Sequence, residues 1–375
     1  MKLTPLHRRV LASLEGLPAG LQDPTAASFL VRSQLKVSDV VTGLLRRSRP
    51  AYPTVWDPWI LKDDNVYRMY YLKGLPGQTP WWIVSDICGA VSTDLEHWQD
   101  LGILLEPEPA NAWESGRVCA GCTYKENGIY YLFYSASGRE LPHLKNEGIG
   151  LAVSKDGVQF SRISDRPLLM PNPDDPWYDR SRLSDHFHWR DPYLYKDEQT
   201  GKYYLFVCAS ERIKGDYSGC VGVAVADSIT GPYELLPPAL SAIEDPENWA
   251  YYHTERPQII YKGGKYHLFF SCFKMFFNPN WLATTRQNRI TNSSLYWYTS
   301  NQITGPYKPI DEKNYVVSGS EKTGLYGTNF LQTDDELIAY GWYHRLHTLE
   351  VSKTFRVEWN AADPSVNALR IMQNS

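Results

Sequence analysis

Gly201-Lys202-Tyr203-Tyr204-Leu205-Phe206, then Gly222-Val223-Ala224-Val225-Ala226-Asp227, closed by Thr230-Gly231-Pro232-Tyr233, is the stretch that sets the fold. It reads as an aromatic strand, a second apolar strand and a polar turn, with glycine as punctuation. The same order recurs downstream as Gly264-Lys265-Tyr266-His267-Leu268-Phe269-Phe270-Ser271, Leu295-Tyr296-Trp297-Tyr298-Thr299-Ser300 and Thr304-Gly305-Pro306-Tyr307. Upstream it recurs as Gly128-Ile129-Tyr130-Tyr131-Leu132-Phe133-Tyr134-Ser135 with Gly150-Leu151-Ala152-Val153-Ser154-Lys155-Asp156-Gly157. Before that stands Val66-Tyr67-Arg68-Met69-Tyr70-Tyr71-Leu72 with Gly89-Ala90-Val91-Ser92-Thr93-Asp94. A weaker fifth unit runs Glu336-Leu337-Ile338-Ala339-Tyr340-Gly341-Trp342, then Leu346-His347-Thr348-Leu349. Four-strand units repeating every ~45–70 residues predict an all-β fold, a five-bladed β-propeller. One unit cannot bury both faces of its sheet, so residues 49–375 are expected to close as one domain around a central channel. The first strand of each blade should line that channel.

Residues 1–48 break the pattern. Val10-Leu11-Ala12-Ser13-Leu14, Phe29-Leu30-Val31, Val40-Val41 and Leu44-Leu45 fall at helical spacing between Gly16, Pro18, Gly20 and Pro24. They predict a short helical N-terminal extension. The chain of 375 residues is 43% hydrophobic, enough for a large core. Its net charge of −4 comes without a basic block, which argues against nucleic acid as a partner. No apolar run is long enough to span a bilayer, and the N-terminus lacks a signal-peptide pattern, so a cytoplasmic protein is expected. The six cysteines lie mostly in apolar strand-like runs, where buried thiols rather than disulfides are expected. Only Cys119 and Cys122 form a C-x-x-C. With no second pair, neither a metal site nor another cofactor is expected. The sequence leaves the oligomeric state open.

Three acids precede apolar strands. Asp57 stands in Thr54-Val55-Trp56-Asp57-Pro58-Trp59, Asp191 in His188-Trp189-Arg190-Asp191-Pro192-Tyr193, and Glu255 in His253-Thr254-Glu255-Arg256-Pro257-Gln258. At equivalent positions of a propeller repeat they converge on one axial site, whereas acids at unrelated turns scatter. Arg190 and Arg256 adjoin two of them and offset the repulsion of like charges. The plain alternative is a pair of local ion pairs closing turns. Trp56, Trp59 and Trp189 suit a low-dielectric wall that raises the pKa of an acid beside them.

Val55-Trp56-Asp57, Arg190-Asp191-Pro192 and Glu255-Arg256-Pro257, in this order, resemble the three signature motifs of glycoside hydrolase family 68. That family comprises levansucrases, inulosucrases and β-fructofuranosidases, and shares its propeller with family 32. The resemblance implies Asp57 as nucleophile, Glu255 as general acid/base and Asp191 as the carboxylate that stabilises the transition state. It implies sugar contacts for Trp56 and Arg190 and, on the leaving-group side, for His253, where the family carries Glu or Gln. Arg256 is expected to hold Glu255 or touch the sugar. The family's Trp-Ser-Gly, whose serine bonds the nucleophile, has two registers here. One is Trp113-Glu114-Ser115-Gly116, making Trp113 and Ser115 binding residues. The other is Cys119-Ala120-Gly121, in which the serine is lost. Lys274 is the only cation near the place of a family arginine. The expected activity is a retaining glycosidase on β-fructofuranosides such as sucrose, with fructosyl transfer open. An arabinofuranosidase- or xylosidase-like propeller and a non-catalytic sugar-binding propeller are the alternatives.

Overall fold

The computed structural model describes residues 54–373, except 75–81, 83, 141–142, 144–145, 181–187, 214, 243–248, 285–288, 312–314, 346–347, 361–362 and 364. The helices expected within 1–48 lie outside the described residues. Five antiparallel sheets follow one another along the chain. Blade one comprises β1 (Thr54–Asp63), β2 (Val66–Gly74), β3 (Asp86–Ser92) and β4 (Gln99–Leu105). Blade two comprises β5 (Arg117–Glu126), β6 (Ile129–Ser137), β7 (Glu147–Ser154) and the two-residue β8 (Ser161–Arg162). Blade three is β9 (Trp189–Lys196), β10 (Tyr203–Ser210), β11 (Gly219–Ala226) and β12 (Glu234–Leu240). Blade four is β13 (Glu255–Lys262), β14 (Lys265–Ser271), β15 (Leu295–Ser300) and β16 (Lys308–Pro309). Blade five runs β17 (Leu325–Gln332), β18 (Leu337–Arg345), β20 (Phe355–Trp359) and β21 (Leu369–Ile371), with β19 (Thr348–Val351) pairing the far end of β18.

Strand alternation explains how the blades stack. Tyr204 and Phe206 of β10 join Ile259, Leu268 and Phe270 of blade four in one apolar cluster. Their neighbours Leu205 and Val207 join Phe133, Ile149 and Leu151 of blade two in another. Successive side chains of one strand thus serve opposite interfaces, which makes the middle strands apolar throughout rather than alternating. Blade five packs on blade four through Phe330 and Leu369 against Phe269 and Trp297. Val351 reaches Met69 and Tyr71 of blade one and helps close the ring.

A repeated polar clamp ties the inner-strand ends together. Asp63, which ends β1, takes the Lys125 ammonium, the Tyr130 hydroxyl at 2.5 Å and Arg68 Nε at 2.6 Å. Glu126, which ends β5, takes Lys196 Nζ at 2.5 Å and the Tyr203 hydroxyl at 2.9 Å. Asp197, just past β9, takes the Tyr266 hydroxyl at 3.1 Å. Each acid is gripped by the next blade.

Each inner strand carries one extra residue shortly after its start. Asp57-Pro58, Asp191-Pro192, Arg256-Pro257 and Gly327-Thr328 each break register with the second strand, and in blade two the break falls at Ala120. Asp57, Asp191, Arg256 and Gly327 have φ of 45°, 56°, 55° and 59°. Left-handed backbone is unfavourable for a residue with a side chain, and a following proline restricts that residue further. These bulges bend the strand and re-aim side chains at the axis.

Candidate active site

The bulges define two rows of equivalent residues. The first is Trp56, Cys119, Arg190, Glu255 and Tyr326. The second is Asp57, Ala120, Asp191, Arg256 and Gly327. This corrects the expectation of three equivalent acids. Glu255 stands one residue earlier than Asp57 and Asp191, and Arg256 occupies the place of an acid. The four groups still share one site: the charges of Arg256, Asp191 and Glu255 all act on Asp57.

Asp57 is half-buried, and its Oδ1 accepts the Trp342 indole N–H at 2.8 Å. Gly327 packs closely beside it. A Cβ there would lie 3.1 Å from Asp57 Oδ1 and 3.0 Å from Trp342 Nε1. Asp191 is buried. Its Oδ2 accepts the Arg256 backbone N–H at 3.1 Å, and its own N–H donates to Ser135 Oγ at 3.3 Å. Glu255 Oε1 accepts Arg190 Nη2 at 2.7 Å, and Oε2 accepts the Tyr326 hydroxyl. His253 Nε2 lies 3.4 Å from the same Oε2, while Nδ1 faces Arg190 Nη2 at 3.4 Å. An Nδ1 that accepts from arginine leaves the proton on Nε2, which approaches Glu255 without a hydrogen bond to it.

Arg256 does not hold Glu255. Its guanidinium is buried in the channel, bonding the Pro58 carbonyl at 3.0 Å and the Gly121 carbonyl at 3.2 Å, above the Trp59 ring. These bonds tie the bulges of blades one and two together. Arg190 grips Glu255 instead. Its other nitrogen, Nη1, donates to Glu147 Oε2 at 3.0 Å and to His188 Nδ1 at 2.6 Å, so this arginine too is engaged by protein. His253 is buried against Phe276, at 4.7 Å between ring centres.

In blade two the strand register selects Cys119-Ala120-Gly121 as the counterpart of the acid-bearing segments, and the serine is absent. Ser115 Oγ donates to the Ala112 carbonyl at 3.2 Å and accepts the Arg139 N–H at 3.1 Å, a loop tie. Trp113 is core: buried, stacked on Tyr134 and donating to the Asp165 carbonyl at 3.1 Å. The bonds of both side chains go to blade two, not to the carboxylates. Trp56 is buried with Trp342, Tyr326 and Phe273 in the wall behind the acids. Phe273 stacks on Tyr326, the ring centres 3.5 Å apart. Lys274 is exposed in a single 3₁₀ turn (Lys274–Phe276).

The electrostatics divide the acids. Burial pushes Asp57 up to about 7, aided by the Asp191 and Glu255 charges and opposed by Arg256. Burial likewise lifts Asp191 to about 6, against the pull of Arg190. Burial also opposes ionisation of Glu255, but its partners hold it below the usual carboxylate range. His253, pushed down to about 4 by burial, is uncharged near neutrality, so Arg190 and the Tyr326 hydroxyl carry that effect. Sequence reasoning missed Tyr326, Trp342 and Glu147. The visible signal was Leu325-Tyr326-Gly327-Thr328 ahead of an aromatic strand, a fifth inner strand with glycine at the bulge.

Fold and site together define a class: a five-bladed propeller with a carboxylate cluster at the bulges of its inner strands. The chain belongs to glycosyl hydrolases family 43, whose sequence profile matches residues 50–360. The family 68 resemblance read from the motifs is met by levansucrases among its relatives. The levansucrase of Rahnella aquatilis is 26% identical over 218 residues, 51% of this chain and 49% of that protein. The levansucrase of Erwinia amylovora is 32% identical over 101 residues, 27% of this chain and 21% of that one. The chain thus spans about half the length of the first relative and about a fifth of the second. An inulosucrase from Halalkalicoccus jeotgali bound to kestose superposes with a TM-score of 0.65 at 22% identity, covering 86% of this chain and 89% of that one. Bacillus subtilis levansucrase gives 0.65 at 15% identity over 86% and 87%. These two likenesses bear on the fold.

Proposed function

We propose that the chain is a retaining glycosidase acting on β-fructofuranosides, with sucrose as the first substrate to test and fructosyl transfer to a sugar acceptor as a parallel outcome. The observation that carries this is the unlike wiring of two converging carboxylates. Asp57 is held by one indole N–H, and Glu255 is clamped between Arg190 and Tyr326. A retaining glycosidase needs one carboxylate to attack and one to protonate, about 5 Å apart. In the first step a carboxylate oxygen of Asp57 bonds the anomeric carbon, the glycosidic C–O bond breaks, and Glu255 gives its proton to the leaving oxygen. Glu255 then takes a proton from water or a sugar hydroxyl, which displaces Asp57. Asp191 stabilises the oxocarbenium charge. The saccharide is the expected partner, in keeping with a solved structural neighbour bound to kestose. Among the described residues no helix is long and apolar enough to cross a membrane. We place the protein in the cytoplasm, where its six unpaired thiols stay reduced; cell fractionation checks this.

The test is to incubate the protein with sucrose, raffinose, inulin, levan and arabinofuranosides and identify the sugars released and the anomer formed. Release of fructose with retention supports the reading. Cleavage of arabinofuranosides alone would replace it with the arabinofuranosidase-like one, which the family 43 match keeps in the panel. Uncleaved binding of every sugar would make the chain a sugar-binding propeller.

A further inference from the structure

Behind Arg190 stands a second charged pair that the catalytic assignment does not use. Glu147, the first residue of β7 in blade two, is 6% exposed. Its Oε2 accepts Arg190 Nη1 at 3.0 Å and the Trp189 backbone N–H at 3.1 Å. Its Oε1 accepts Arg117 Nη2 at 2.8 Å. Arg117 is fixed in turn by Ser137 Oγ at 2.9 Å and the Trp82 carbonyl at 3.1 Å. Charges therefore alternate along one line: Arg117, Glu147, Arg190, Glu255. The line starts in blade two, passes through blade three and ends in the acid of blade four.

The arrangement matters because Glu255 must both hold and release a proton in the proposed cycle. Arg190 bound to Glu255 alone would favour the carboxylate strongly, since an opposite charge at this range lowers a carboxyl by about 1–3 pH units. Glu147 engages the other nitrogen of the same guanidinium and draws on the same charge. Arg117 limits how far it can do so. We propose that Glu147, with Arg117 behind it, is a positioning pair that sets how firmly Arg190 grips Glu255 and so how readily Glu255 carries its proton. The inference rests on the glycosidase reading for its kinetic consequence, but its electrostatic core does not.

The groups whose charges or hydrogen bonds act on Glu255 are Arg190 and Asp191 from β9, Tyr326 from β17, Asp57 from β1, His253 beside it in the chain, and the thiols Cys208 and Cys272. Those facing Glu147 are Arg117, Arg190, Cys119 and His253. None of them supplies a second carboxylate on the Nη1 edge of Arg190 among the described residues.

The test exploits the alternation of sign. Glu147→Gln removes a negative charge next to two arginines, so the cluster gives up its last proton more easily. The alkaline limb of kcat/KM should move down by about one pH unit. Arg117→Gln leaves Glu147 less compensated, and the same limb should move up. KM should stay within about twofold in both, because neither residue touches the sugar, and Glu147→Asp should restore the parent profile. A merely structural pair lowers stability in both variants and moves both limbs the same way or not at all; that result overturns the proposal. If Glu147→Gln does not fold, Arg117→Gln alone decides by the presence or absence of the upward shift. A ¹³C-carboxylate NMR titration of the cluster in the parent and both variants reads the same opposite shifts without catalysis. A parent that releases no sugar would sink the functional reading while this titration still decides the pair.

Discussion

Asp57 and Glu255 are displaced from ordinary carboxylate behaviour in opposite directions. With Asp57 raised to about 7 and Asp191 to about 6, the cluster takes up one proton near neutrality and a second just below. The proposed cycle needs one proton, on Glu255, with Asp57 ionised. That form has the same proton count as the resting cluster, with the proton moved by the bound sugar. The titration therefore belongs to the cluster, not to one residue. A pH series on the parent should give a narrow bell with its maximum between about 6 and 7. Activity that rises steadily to pH 9 would rule out this proton count. Asp57→Asn should abolish turnover, with a loss of at least about 10³-fold, if Asp57 is the nucleophile as proposed. It should also stabilise the fold in alkali. The folded pKa lies above the ordinary value, so burying the carboxyl carries no penalty below about 3.8 and the full penalty above about 7. The amide retains an acceptor for Trp342. Thermal melts should show the variant above the parent at pH 8 and level with it near pH 4. A variant that melts lower at pH 8 would mean the carboxylate is held for structure.

The inner strand is the element on which the site turns, and its bulge decides which side chains meet. Gly327→Ala puts a methyl 3.1 Å from Asp57 Oδ1 at a φ of 59°. Strain of about 1–3 kcal/mol at such a position and loss of the Trp342 bond should together lower kcat more than KM. An unchanged kcat would show that the indole does not orient the nucleophile. The bulge also explains what the sequence could and could not reveal. Glycine-punctuated aromatic strands recur on a regular period, so five blades are countable in the sequence. The acids before those strands marked the axis for the same reason. The register did not show, because an extra residue in a strand leaves no sign in the linear order and shifts every later side chain by one face. Hence Glu255 looked equivalent to Asp57, and Arg256 looked like its anchor. Tyr326 and Trp342 looked like core aromatics. Their partners lie 71 and 285 residues away in the chain, so only ring closure makes them site residues. Trp113 and Ser115 show the reverse: expected at the sugar, they bond within blade two.

At the scale of the whole molecule, no strand is shared between blades among the described residues, and side-chain contacts join blade five to blade one. The polar clamps at the inner-strand ends are alike in chemistry and unlike in burial, which makes them a controlled comparison. Asp63 is 5% exposed and joined by Lys125, Tyr130 and Arg68, whereas Lys62 meets Asp334 with the latter 79% exposed. An exposed pair is worth about 0–1 kcal/mol, because water screens it and two long side chains must be ordered. Removing one partner of a buried pair costs about 3–5 kcal/mol; Lys125 is partly solvated, so about 2 kcal/mol is expected for Asp63→Asn. Asp334→Asn should be nearly silent. The pH dependence separates the pairing from mere packing. Burial raises the Asp63 carboxyl, but hydrogen bonds from Lys125, Tyr130 and Arg68 outweigh it and leave the group at about 2. A depressed folded value stabilises above the ordinary carboxylate pKa and is lost as pH falls from about 4 to about 2. Chemical denaturation should therefore show a large gap between parent and Asp63→Asn at pH 6 that closes toward pH 2. Because a propeller with one blade undocked leaves two apolar faces in water, the loss should appear as a single cooperative transition moved to lower denaturant. A gap that persists unchanged at pH 2 would assign the effect to packing at the blade interface. A second transition would show that blade one opens alone.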